Sequence, residues 1–195
     1  MLALSDRTVL GVFIAVIAAG CAAIWVPLER HYTNDPVERA RRGEVTALHE
    51  LSMLRADNAV RAVRLVEERS PAEVRVQTLT IRPTALTMTV VEPGNGTERD
   101  WGVDPGFHVG GGEAEDASSD YGVTFRALDL TVPERMARTV LDQTHRNPRD
   151  IEYASAATSA TGEPVQWLLY LAGGRIRDRV WRADADGSHV RRNGT

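Results

Sequence analysis

The chain has 195 residues, enough for one domain or two small ones, and with 43% hydrophobic and 26% charged residues it folds rather than staying disordered. Twenty-seven acids against twenty-three bases give a formal net charge of -4, which argues against the broad basic face of a nucleic-acid binder. Every base is arginine, a bias that carries no function in itself.

Residues 8–28 read TVLGVFIAVIAAGCAAIWVPL, without a charge. As a helix this stretch would cover roughly 31 Å, against about 30 Å for a bilayer core. Val9, Phe13 and Ile17 are bulky apolar residues within it, and Trp25 sits near the far end, where an interfacial aromatic is favoured. Residues 1–28 are therefore expected to be a transmembrane signal anchor with a single span. A cleaved secretory signal is the alternative, since the apolar core at 8–19 is short enough for one. Ala18-Ala19-Gly20-Cys21 sharpens that alternative because it resembles a bacterial lipobox, which would leave Cys21 lipidated as the new N-terminus. Ala18 departs from the Leu or Val favoured there, and residues 22–28 stay apolar where mature lipoproteins turn polar. Arg7 precedes the span while Arg30, Arg39, Arg41 and Arg42 follow it, which taken alone favours a cytoplasmic body. A span this close to the N-terminus resembles an export signal instead, and an extracytoplasmic body at the cell membrane is the adopted expectation. One cysteine forms no internal disulfide.

Residues 29–44 read as a polar stalk, with Asp35 as N-cap and Pro36 as first residue of a short helix that ends at Gly43. Beyond it the chain aligns with itself at an offset of seventy-seven, placing Leu48 on Phe125, Leu51 on Leu128, Val63 on Val140, Pro71 on Pro148 and Val74 on Ile151. Three residues further out of phase, Trp101-x-x-Asp104 falls on Trp181-x-x-Asp184. This pattern predicts an internal duplication, 45–109 and 123–195, around a glycine-rich acidic linker at 110–122.

Each copy reads as a lead-in segment, one helix, then strands. In the first, a helix from Asp57 to about Arg69 would show Ala59, Val60, Val63 and Val66 on one face. Val74, Val76, Leu79 and Ile81 mark a strand that leads to a tight Arg82-Pro83-Thr84 turn, Leu86, Met88 and Val90 then alternate inward with threonines outward, and residues 97–103 follow a Pro93-Gly94-Asn95-Gly96 turn. In the second, Pro133 opens a helix with Met136, Ala137, Val140 and Leu141 as its stripe. Strands are expected at 151–158, 165–171, 175–183 and 188–191, with Ala172-Gly173-Gly174 as a hairpin. The fold class is thus α+β: an N-terminal transmembrane helix followed by two tandem copies of a helix packed on a small antiparallel sheet.

His31, His49, His108, His145 and His189 are scattered, without a metal-ligand spacing. Ser188 and His189 beside Asp186 offer triad residue types, but strand neighbours point to opposite faces. Gly110-Gly111-Gly112 lacks the lysine of a phosphate loop, and Asp184-Ala185-Asp186-Gly187 lacks the later ligands of a calcium loop. No metal, no cofactor and no enzymatic activity is expected.

Two features point to binding. Arg175, Arg177 and Arg179 alternate with Ile176 and Val180, predicting an outward basic row on a strand. Trp101 and Trp181 stand at matching places in the two copies, as an aromatic pair of the kind that anchors interfaces. With the Trp-x-x-Asp turns and the element order, residues 46–191 resemble the tandem helix-plus-sheet architecture of the β-lactamase inhibitor protein. They also resemble the smaller PepSY-like domains of envelope proteins, including actinobacterial membrane-anchored or lipoprotein families. The resemblance implies non-enzymatic binding of a protein or ligand in the cell envelope. The inhibitor fold carries disulfides that this chain cannot form, so lactamase inhibition does not transfer. The alternatives are a lipoprotein accessory for transport or assembly that carries an apolar ligand, and a cytoplasm-facing interaction module tethered to the membrane.

Overall fold

The computed structural model describes residues 34–193 apart from 72, 118, 120 and 158–165. Its strands are β1 (Arg75–Arg82), β2 (Ala85–Glu92), β3 (Thr97–Val103), β4 (Val109–Gly111), β5 (Glu115–Asp116), β6 (Ile151–Ala157), β7 (Gln166–Leu171), β8 (Val180–Ala183) and β9 (Arg191–Arg192). All belong to one antiparallel sheet in the order β4-β3-β2-β1-β6-β7-β8-β9, with β5 also beside β3. The helices are α1 (Pro36–Arg41), α2 (Ala56–Glu67), α3 (Val132–Thr144) and the single turn α4 (Ile176–Arg179).

Side-chain alternation along the strands decides what faces the helices. Val103, Leu86, Ile81, Ala154, Leu169 and Trp181 are successive cross-strand partners, as are Trp101, Met88, Leu79, Ala156, Trp167 and Ala183 in the next row. Every member of both rows is buried. Ala59, Ala62, Val63 and Val66 of α2 and Met136, Ala137, Val140 and Leu141 of α3 close over them in one continuous core. Fully burying a large aliphatic side chain contributes about 1.5–3 kcal/mol, so these rows fix which sheet face the helices occupy. Val60, expected in the α2 stripe, is 48% exposed, and Ala62 takes its place.

Helix ends follow local chemistry. Asp35 Oδ1 accepts the Val37 N–H at 2.9 Å to start α1, as its sequence predicts. Arg39 then holds α1 to the body through Glu44 at 3.1 Å and His49 at 3.0 Å. The start of α2 has no capping side chain of its own; Glu134, in the first turn of α3, accepts the Ala56 N–H at 2.8 Å. His145 ends α3 in a left-handed conformation, φ 53°, its N–H bonded to Leu141 O at 2.8 Å.

The architecture differs from two tandem copies, each with its own sheet. Two separate small sheets do not form, because Thr78–Ile81 of β1 pair directly with Ala157–Ala154 of β6 and merge the strands into one sheet. An unpaired β1 edge would otherwise present open backbone donors and acceptors at the centre of the molecule. Nor is any helix among the described residues long and apolar enough to cross a membrane. The segment expected to span, with Val9, Phe13, Ile17, Cys21 and Trp25, lies outside the described residues. Part of the segment read as a linker lies on the sheet: β5 pairs with Thr97 and Glu98, and Gln77 Nε2 donates to Ser119 Oγ at 2.7 Å; Val123, the residue that follows it, bridges to Val76.

Candidate functional site

The helices cover one side of the sheet, and residues of opposite parity line the other. Across eight strands one outward row reads Gly110, Gly102, Thr87, Thr80, Ser155, Leu168, Arg182, Arg191, each the cross-strand partner of the next. Every one of them is exposed or half-buried. The face is open and carries hydroxyls at its centre and bare backbone toward its β3–β4 edge rather than the alternating charges of an ordinary solvated surface.

Its two halves differ. Over β2, β3 and β4 lies a shallow groove of ≈ 460 Å³ floored by Gly102, Gly110 and Gly112 and rimmed by Thr78, Thr87, Thr89 and Asp100. Thr78 Oγ1 donates to Thr89 Oγ1 at 2.9 Å, and Thr89 donates in turn to Asp100 Oδ1 at 2.6 Å, so the carboxylate is oriented from below. Over β6, β7 and β8 the face is bulky. Tyr153 and Tyr170 stack with centroids 4.3 Å apart, and the Arg82 guanidinium lies 5.2 Å from the Tyr153 ring. Burial, with the neighbouring Tyr170 and Glu152 adding, raises the Tyr153 pKa above its ordinary value and keeps the phenol neutral.

The glycines of the groove are informative. Neither Gly102 nor Gly110 has a positive φ, and a Cβ at either would meet nothing within 4 Å. Glycine inside a strand costs about 0.5–1 kcal/mol relative to alanine, and where folding does not require it, close approach by a ligand or another backbone is the usual reason. Gly111 is different, since a Cβ there would lie 2.8 Å from Trp101 Cζ3.

The residues singled out from sequence do not gather on this face. Trp101 and Trp181 point inward and are 8% and 4% exposed; with Trp167 they are core, their indole Nε1 atoms unpartnered among the described residues. The basic row on a strand is corrected: Gly173 and Gly174 take positive φ, Arg175 precedes α4, and Arg177 and Arg179 lie within that helical turn. Pairing with β7 begins only at Val180, so no ladder enforces alternation on the residues before it. Arg179 instead donates to Leu171 O at 3.0 Å and pairs with Glu152 at 3.5 Å.

His189 and His108 make local contacts. His189 Nδ1 faces both Asp184 Oδ2, at 2.8 Å, and Ser188 Oγ, at 3.2 Å, whereas a triad needs the acid and the nucleophile on different ring nitrogens. The His189 hydrogen bond holds Asp184 below its ordinary pKa, and Asp186 accepts the Ser188 N–H at 2.9 Å within the same turn. His108 Nδ1 likewise sits 3.0 Å from Asp104 Oδ2, inside the turn after β3. The central residues of the open face are threonines and a serine, which form no motif; its trace in the sequence is the paired Thr-x-Thr at Thr78, Thr80 and Thr87, Thr89, outward on adjacent strands.

No family model matches the chain, and no characterised protein matches it in sequence. Neither a PepSY-like domain nor the β-lactamase inhibitor protein was matched, so those resemblances gain no support. Among solved structures the chain is similar to a protein described as a putative lipoprotein from Clostridium difficile 630. The two are 12% identical with a TM-score of 0.49, over 76% of this chain and 97% of that one.

Proposed function

We propose that the chain is a non-catalytic binding protein of the cell envelope, held at the membrane through its N-terminal apolar stretch with its body on the extracytoplasmic side. The observation that carries the binding role is the open sheet face: eight strands wide, uncharged at its centre, and floored in part by glycines that folding does not require. A face with short hydroxyl side chains and half-buried tyrosines offers hydrogen bonds and apolar contact at low ordering cost, as recognition surfaces do.

The membrane association rests on residues 8–28 and their lack of charge. Ala18-Ala19-Gly20-Cys21 favours a lipidated form as the second reading, and metabolic labelling with palmitate decides it, since an unlabelled Cys21 removes that form. Arg30, Arg39, Arg41 and Arg42 favour a cytoplasm-facing body instead; loss of a C-terminal tag to protease on wall-stripped cells, with a cytoplasmic control intact, would exclude it.

A photo-crosslinking residue placed at Thr87 or Leu168 in living cells tests the face, with Arg64 on the exposed side of α2 as control. A discrete adduct from the two sheet positions and none from Arg64, its protein component then identified by mass spectrometry, is the expected result. No adduct from either sheet position would sink the proposal.

A further inference from the structure

We propose that the open face is occupied by a second copy of this chain in a two-fold, face-to-face dimer. This rests on the reading of the face as a contact surface and names its partner.

The argument begins with how bulk is distributed. On the β1–β4 half the outward residues Thr78, Thr80, Ala85, Thr87, Gly102 and Gly110 are small, with Arg82 at the end of β1 the large exception. On the β6–β9 half they are large: Tyr153, Leu168, Tyr170, Arg182 and Arg191. A two-fold axis along the strands, passing above the β1–β6 seam, lays β8 of one copy over β3 of the other, β7 over β2, and β6 over β1. Tyr153 then falls over Arg82 of the other copy, while Arg182 stands over the Gly102–Gly110 strip, Leu168 over Thr87, and Tyr170 over Ala85, so these three projections meet hollows. That supplies the close approach that Gly102 and Gly110 otherwise lack.

Charge follows the same pattern. Arg182 and Arg191 are direct cross-strand partners, and like charges so placed repel. Arg182 forms no ion pair among the described residues, and its Nε is buried without a partner. Asp100 lies on the small half, its Oδ1 taking the Thr89 hydroxyl, at the rim of the groove. The two groups are five strand spacings apart, roughly 24 Å, too far to meet within one copy. The two-fold brings Arg182 of each copy within a side chain's reach of Asp100 of the other, twice per dimer, as an isologous interface requires. Because a two-fold preserves height along its axis, both Pro36 ends also emerge at one level, as tethering in a single membrane demands. The expected affinity of the free chains is in the micromolar range.

Sedimentation equilibrium of the full chain in density-matched detergent, from micromolar to hundreds of micromolar, provides the test. The wild type is expected to dimerise in this range and more weakly at high salt. Asp100→Arg alone and Arg182→Asp alone each place like charges in both contacts and should be monomeric. Mixed together they should form a heterodimer, because both contacts are then again of opposite sign; a misfolded variant could not do this. Gly102→Leu, whose Cβ would have no atom of its own chain within 4 Å, should weaken self-association at least tenfold without lowering the unfolding midpoint. A monomeric wild type, dimeric single variants, or a mixture that stays monomeric would each overturn the dimer. If the chain is monomeric but the Thr87 and Leu168 crosslinks capture a different protein, self-pairing fails while the open face remains a binding surface; with no crosslinks, both fail.

Discussion

Glu134 shows how one residue joins distant parts of the chain. Its side chain is 13% exposed, accepts the Ala56 N–H at 2.8 Å, and pairs with Arg138 at 2.7 Å and Arg55 at 3.4 Å. Burial by itself would raise its pKa, but the Ala56 hydrogen bond, the Arg138 hydrogen bond and the Arg55 charge together outweigh it and hold the carboxyl below its ordinary 4.5. A depressed folded pKa contributes stability that is fully present above the unfolded value and is lost as pH falls through the folded one. Glu134→Gln should therefore destabilise the fold by about 1–3 kcal/mol at neutral pH. Urea midpoints of wild type and variant should converge as pH drops below the glutamate range; a gap that stays constant with pH would refute the charged role. None of this was legible in the sequence, because Glu134 and Ala56 are 78 positions apart and only the packing of two helices brings them together.

At the scale of elements, periodicity served well where a partner enforces it. The alternation in β2 and the stripe Met136, Ala137, Val140, Leu141 in α3 read directly as buried faces, and both are. Val60 was misassigned because an apolar residue one position from the stripe reads like part of it, although it is turned about 100° away. Met136→Ala should cost about 2–5 kcal/mol and Val60→Ala under about 0.5 kcal/mol, as chemical unfolding would measure. Equal effects would mean that α2 and α3 do not dock as described. The arginines at 175, 177 and 179 failed for the converse reason: β7 ends at Leu171, so alternation in sequence had no strand to act on.

At the scale of the molecule, the pairing of β1 with β6 is what sequence could not supply. Which strands meet at a seam depends on edges that carry no special residue, here Thr78, Leu79, Thr80 and Ile81 against Ala157, Ala156, Ser155 and Ala154. One sheet and one core predict one cooperative unfolding transition, with far-ultraviolet circular dichroism and tryptophan fluorescence coinciding. Two resolved transitions would mean the halves fold separately. The merged sheet also creates the broad open face, which neither half would possess alone.

That face is the central claim, and hydroxyl-radical footprinting of the chain in intact cells against the purified chain at high dilution tests it most directly. Tyr153, Leu168 and Tyr170 should be shielded in cells, while Val60, exposed on α2 on the helix side of the sheet, should oxidise equally in both settings. Equal oxidation of the three sheet residues in cells and in dilute solution would contradict the account.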